Sequence, residues 1–143
     1  ISRTFSKAYG LAGLRVGFGV AHADLIAMMN RVRQPFNVNS LALAAAAAAL
    51  NDDEFVQRSY ALNQAGMAQL LAGFREMGLE HIPSFGNFVS VKVGDAAGVY
   101  QKLLRAGVIV RPIASYGMPE YLRVTIGLHG QNQTFLTALK HAL

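Results

Sequence analysis

Apolar and polar positions recur with two different periods along this chain, and the switches between them mark its elements. Ile1 to Ser6 reads as the end of a strand that enters a loop from Lys7 to Gly13. Leu14 to Ala21 follows as a second strand, with Val16, Phe18 and Val20 alternating against Arg15, Gly17 and Gly19. Glycine at 17 and 19 lowers strand propensity but lets another backbone or a ligand come close. From Asp24 to Val32 the spacing turns helical, and Arg31 and Arg33 suit a helix C-terminus. Gln34 to Ser40 is a turn-forming connection whose Asn39 or Ser40 is placed to cap the next helix.

That next helix, Leu41 to Leu50, is almost pure alanine and leucine, which predicts close packing. Asn51 to Glu54 then caps a longer helix with Val56, Tyr60, Met67, Leu70, Leu71 and Phe74 on one face. It is expected to stop near Gly78, and at about 25 residues it would reach about 37 Å, enough to bridge two lobes. Beyond Gly78 the period changes again. Phe88 to Val93 alternates as a strand, Asp95 caps a helix through Arg105, and Gly107 ends it. Val108 to Val110 reads as a short strand, Tyr116 to Pro119 as a turn, Leu122 to Ile126 as a strand, and Gln131 to Leu143 as an amphipathic helix. This final stretch is an α+β layer with helices covering a sheet.

Composition narrows the class. At 143 residues, 52% apolar and 15% charged, the chain has what a folded domain needs and is too apolar for disorder. With no cysteine it has no disulfide framework and no thiolate metal site. No basic region followed by an apolar run opens it, and the apolar stretch Leu41 to Leu50 falls well short of the roughly 18 to 20 residues of a membrane span. The expected setting is therefore soluble and cytoplasmic, with no membrane partner. The net charge of +5 is scattered among glycines and aliphatics, without a lysine- or arginine-rich run, which argues for small-anion binding and against nucleic acid. His22, His81, His129 and His141 lack zinc-like spacing, so no metal is expected, and Met28, Met29, Met67 and Met77 read as core or interface packing.

The chemistry concentrates at Lys7, with the hydroxyls of Thr4 and Ser6 before it and Arg15 beyond a glycine-containing loop. A free lysine amine is protonated at neutral pH and is a poor nucleophile until desolvation or neighbouring cations activate it toward carbonyl carbons. Arg15 supplies a permanent cation with a planar donor fork suited to phosphate, and the two hydroxyls add donors. A phosphorylated aldehyde held by these groups would place its carbonyl near Lys7. Spacing alone leaves open that Lys7 and Arg15 are exposed loop cations. A dinucleotide site fails because Gly10, Gly13, Gly17 and Gly19 do not form the required glycine pattern, and a phosphate-binding P-loop fails because no Gly-Lys-Ser or Gly-Lys-Thr occurs.

The run Arg3 to Gly17 resembles the cofactor-lysine motif of the class I/II, fold-type I pyridoxal-phosphate aminotransferases, and more narrowly that of their histidinol-phosphate branch. Arg33 to Ser40, Gly86-Asn87-Phe88, Gly107 to Arg111 and Tyr121 to Gly127 extend the likeness in family order over essentially the whole chain. The resemblance implies that Lys7 bonds pyridoxal 5'-phosphate and shuttles the proton. Thr4, Ser6 and Arg15 would bind the cofactor phosphate. Arg123 would pair with the α-carboxylate of glutamate, Arg111 would seat the substrate phosphate, and Asn87 would join the substrate site. Both arginines are read at strand ends around a turn, where two arms can aim at one pocket.

The implied fold is α/β, the C-terminal part of a fold-type I transferase. Residues 1–77 would form the C-terminal end of the large mixed-sheet domain with its connecting helix, and residues 78–143 the small α+β domain. The implied reaction is amino transfer between histidinol phosphate and 2-oxoglutarate, in a homodimer. An aromatic amino acid or another phosphorylated amine is the alternative substrate within the family, and a non-catalytic anion-binding module the alternative outside it.

The family's pyridine-nitrogen acid and ring-stacking aromatic lie upstream of the lysine, and the acids present, from Asp24 to Glu120, match neither. The chain is therefore expected to be a C-terminal fragment, inactive alone. Its residues 1 to 40 are expected to be poorly ordered in isolation and residues 79 to 143 to hold together.

Overall fold

Local sequence rules account for most of the elements in the computed structural model, which describes residues 1–143. The chain divides into two compact units, Ile1–Tyr60 and Ala61–Leu143.

In the first unit, strands β1 (Ser2–Thr4) and β2 (Gly17–Gly19) pair antiparallel, with Thr4 opposite Gly17. A β-carbon at position 17 would lie 2.7 Å from the Arg3 carbonyl oxygen, so glycine is what allows the ribbon to close. The pairing continues past the strands through Phe5 N–H donating to the Val16 carbonyl at 3.2 Å. Phe5 and Val16 are buried with Ala42 and Ala46 of the alanine-rich helix. Helix α1 (Ala23–Val32) follows the ribbon and buries none of its side chains. Helix α2 (Ser40–Ala49) starts where Asn39 Oδ1 accepts the Ala42 N–H at 2.8 Å, so Asn39 and not Ser40 is the cap. Helix α3 (Asp53–Glu76) is begun by Asp52, whose Oδ1 accepts the Phe55 N–H at 3.0 Å, and it runs from one unit into the other.

The second unit is a four-stranded antiparallel sheet in the order β3 (His81–Ile82), β4 (Phe88–Lys92), β6 (Tyr121–Thr125), β5 (Arg111–Pro112). One face carries Val89, Val91, Leu122 and Val124, which join Leu70 and Phe74 of α3, Val99 and Leu103 of α4 (Ala96–Arg105), and Phe135 and Leu139 of α5 (His129–Ala142) in one core. Of the face expected on α3, Leu70 and Phe74 are fully buried, whereas Tyr60 is exposed. Asn132 is buried and satisfied, accepting the Gly127 N–H at 2.9 Å and donating to the Gly127 carbonyl and to Gln69 Oε1. Gln131 Oε1 accepts the Leu128 N–H at 2.9 Å and starts α5. At the other end of α5, Lys102 Nζ donates to the Ala142 carbonyl at 2.7 Å.

One expectation is corrected. The strand expected at Val108–Val110 forms instead at Arg111–Pro112. The Val108 N–H is already used: it donates to the Leu103 carbonyl at 2.9 Å, closing a Schellman motif around Gly107 at φ 76°. Strand β3 carried no periodic signal, being only two residues long. Met28 and Met29 are exposed, whereas Met67 and Met77 pack against the core.

Candidate active site

Lys7 sits in the loop that leaves β1. Two backbone bonds fold that loop: Gly10 N–H to the Lys7 carbonyl at 2.9 Å and Leu11 N–H to the Phe5 carbonyl at 2.9 Å. The buried Phe5 anchors it from beneath, with the Tyr9 ring 4.9 Å from its own. Thr4 Oγ1 accepts the Ser6 N–H at 3.0 Å, which turns the chain and leaves the hydroxyl hydrogen of Thr4 available to a ligand. Arg15 follows a short 3₁₀ turn (Ala12–Leu14) and adopts a left-handed conformation, φ 53° and ψ 51°, rarely occupied by a side chain of its size. Its Nη1 donates to the Ala12 carbonyl at 2.8 Å, and the rest of the guanidinium fork stays unclaimed. No acid precedes Asp24 in the chain, so the Lys7 amine, the Thr4 and Ser6 hydroxyls and the Arg15 guanidinium share this ribbon and loop with no carboxylate. That donor set fits a phosphorylated aldehyde: an anion for the fork and hydroxyls, and a carbonyl for the amine.

The second unit gathers different chemistry. Alternation along β4 and β6 sends Val89, Val91, Leu122 and Val124 to the core and leaves Ser90 and Arg123 on the opposite face. Arg123 is registered against Ser90 on one side and Arg111 on the other. The two arginines are therefore direct cross-strand partners on one face, with β-carbons about 5 Å apart, and not the tips of separate arms. Like charges so placed repel. The ion pairs in the structure are His22–Asp24, Glu54–Arg58 and Lys92–Glu120, so neither Arg111 nor Arg123 is neutralised by a carboxylate. Asn87 precedes β4, and its backbone carbonyl accepts the Ile126 N–H at 2.9 Å.

The class I and II aminotransferase family model matches residues 1–139. The chain belongs to this aminotransferase family. It is 68% identical over its full length to a histidinol-phosphate aminotransferase of Methylobacillus flagellatus, covering 39% of that protein, and 64% identical to histidinol-phosphate aminotransferase 1 of Thiobacillus denitrificans, covering 37%. The chain thus spans about two fifths of the curated relatives it matches. Among solved structures it is similar to histidinol-phosphate aminotransferase of Sinorhizobium meliloti in complex with pyridoxal-5'-phosphate, with a TM-score of 0.90 and 27% identity over 99% of this chain and 40% of that one. The α/β fold-type I class expected for this aminotransferase chain agrees with these neighbours. No helix is long and apolar enough to cross a membrane.

Of the residues singled out by sequence, Thr4, Ser6, Lys7 and Arg15 fall on one ribbon and its loop, while Arg111 and Arg123 face each other across two strands. Sequence reading placed Phe88 at the head of a strand and in the Gly86-Asn87-Phe88 stretch but gave it no role; its ring centroid lies 4.7 Å from Arg123 Cζ.

Proposed function

We propose that the whole protein to which these residues belong is a pyridoxal-phosphate-dependent aminotransferase. It moves the amino group of histidinol phosphate to 2-oxoglutarate, giving imidazole-acetol phosphate and glutamate, in histidine biosynthesis. The observation that carries the reading is the carboxylate-free loop around Lys7, in a chain 68% identical from end to end to a histidinol-phosphate aminotransferase. The activity is proposed for the whole protein and not for residues 1–143 alone.

Bound pyridoxal phosphate supplies an aldehyde for the amine and a sink for electrons from the substrate's α-carbon. Lys7 Nζ would hold the cofactor's aldehyde carbon and would carry a proton to and from the substrate's α-carbon. The Arg15 fork and the Thr4 and Ser6 hydroxyls hold the cofactor phosphate, and the Arg15 bond to Ala12 orients the fork before the anion arrives. Arg123 takes the α-carboxylate of glutamate, Arg111 the phosphate of histidinol phosphate, and Asn87, immediately before β4, joins the substrate site. An anion between the paired arginines relieves their repulsion, so substrate binding gains what the empty pair loses.

In domain terms, residues 1–77 supply the end of a cofactor-binding domain with its connecting helix, and residues 78–143 a small α+β domain. A cytoplasmic homodimer completes the proposal; sedimentation of the full-length protein at monomer mass would count against that part. The function is tested on the full-length protein with a panel of amine donors, with and without phosphate. Histidinol phosphate should convert 2-oxoglutarate to glutamate faster than any other donor. Preference for unphosphorylated aromatic amino acids would replace the substrate assignment, and no transfer from any donor would leave an anion-binding module.

A further inference from the structure

We infer that Phe88 is a positioning residue for Arg123: its ring fixes the guanidinium while leaving the N–H edge free for an anion. The inference rests on the anion-binding role proposed for Arg123. Phe88 is two residues from Ser90, the registered partner of Arg123, so it is the diagonal neighbour of Arg123 on the same face of the sheet. Arg123 Cζ stands 4.7 Å from the Phe88 ring centroid, within the range of a cation–π contact.

The backbone that carries the ring is held in place. Ser84 Oγ donates to the Phe88 carbonyl at 2.6 Å and accepts the Gly86 N–H at 3.2 Å. Asn63 Nδ2 donates to the Gly86 carbonyl at 3.1 Å, tying the preceding loop to α3. These bonds set the approach of Phe88 to β4 before any ligand is present.

The chemistry of the contact explains why an aromatic ring suits this place better than an acid. A carboxylate would orient Arg123 by occupying its N–H donors, and an incoming anion would have to displace it. A ring attracts the cation through its π face, and the five N–H donors, which lie in the guanidinium plane, remain available. Arg111 across the strand pair pushes Arg123 away, so an unsupported Arg123 would swing out of place.

The test uses the full-length holoenzyme with Phe88→Leu, Phe88→Tyr, Arg123→Met and the double variant Phe88→Leu/Arg123→Met. Glutamate kinetics are measured beside calorimetric titration with maleate, an unreactive dicarboxylate. Phe88→Leu should raise the KM for glutamate and the Kd for maleate by about 2- to 5-fold, with kcat unchanged. Phe88→Tyr should restore both, and Phe88→Leu should add nothing in the Arg123→Met background. Wild-type affinity in Phe88→Leu, or equal weakening with and without Arg123, would overturn the positioning role. Unchanged maleate affinity in Arg123→Met would instead overturn the role of Arg123 on which the inference rests. Thermal melts of all four variants separate loss of folding from loss of binding.

Discussion

In residues 61–143, thirteen buried side chains from three helices, two strands and the turn after β6 close into one core, whereas in residues 1–60 only Phe5, Val16, Ala42 and Ala46 do so. The same contrast runs through the helices. Every turn of α5 sends a side chain inward, through Asn132, Phe135, Leu139 and Ala142, while α1 leaves Leu25, Met28, Met29 and Val32 exposed. The division of chemistry follows the division of packing: the arginine pair stands on the well-packed sheet, and Lys7 on a ribbon of two three-residue strands. The Lys7 loop is held by two backbone bonds and the buried Phe5, with few packed side chains around it. Two like charges held face to face need a rigid floor, since any freedom would let them separate.

The largest expected effect tests the better core. Phe74 is fully buried and meets Phe135 edge-on at 6.3 Å, so Phe74→Ala should cost about 3–5 kcal/mol in urea unfolding. A loss below about 1 kcal/mol would mean that the core is far looser than its burial implies. Next in size is the cap of α2: Asn39→Ala should cost about 1 kcal/mol. Amide exchange should show it as faster opening of α2, with β4 and β6 unchanged; equal acceleration in both would mean that the two units open together and would end the comparison. Smallest is Arg111→Gln, which removes one of two facing charges. It should stabilise the anion-free protein by about 0.2–1 kcal/mol while weakening dicarboxylate binding, and a loss of stability would show that the pair is not under repulsion.

How far the sequence carried differed from element to element. Helices α3, α4 and α5 and strands β4 and β6 have strong periodicity, and each forms within a few residues of its expected span. Their burial is decided by side chains a few positions apart, which a linear reading sees. Strand β5 is decided by a competitor: the cap around Gly107 takes the Val108 N–H, and pairing begins only at Arg111. The Lys7 loop was legible as chemistry because its donors lie close in sequence. The facing of Arg111 and Arg123, and the reach of Phe88 to Arg123, depend on strand register, which no local pattern records.

The most direct test of the central claim is to load the full-length protein with pyridoxal phosphate, reduce it with borohydride and map the modified peptide by mass. The cofactor should be fixed on Lys7 alone, and Lys7→Ala should retain none; stable fixation on another lysine, with Lys7 unmodified, would contradict the assignment of this loop as the cofactor site.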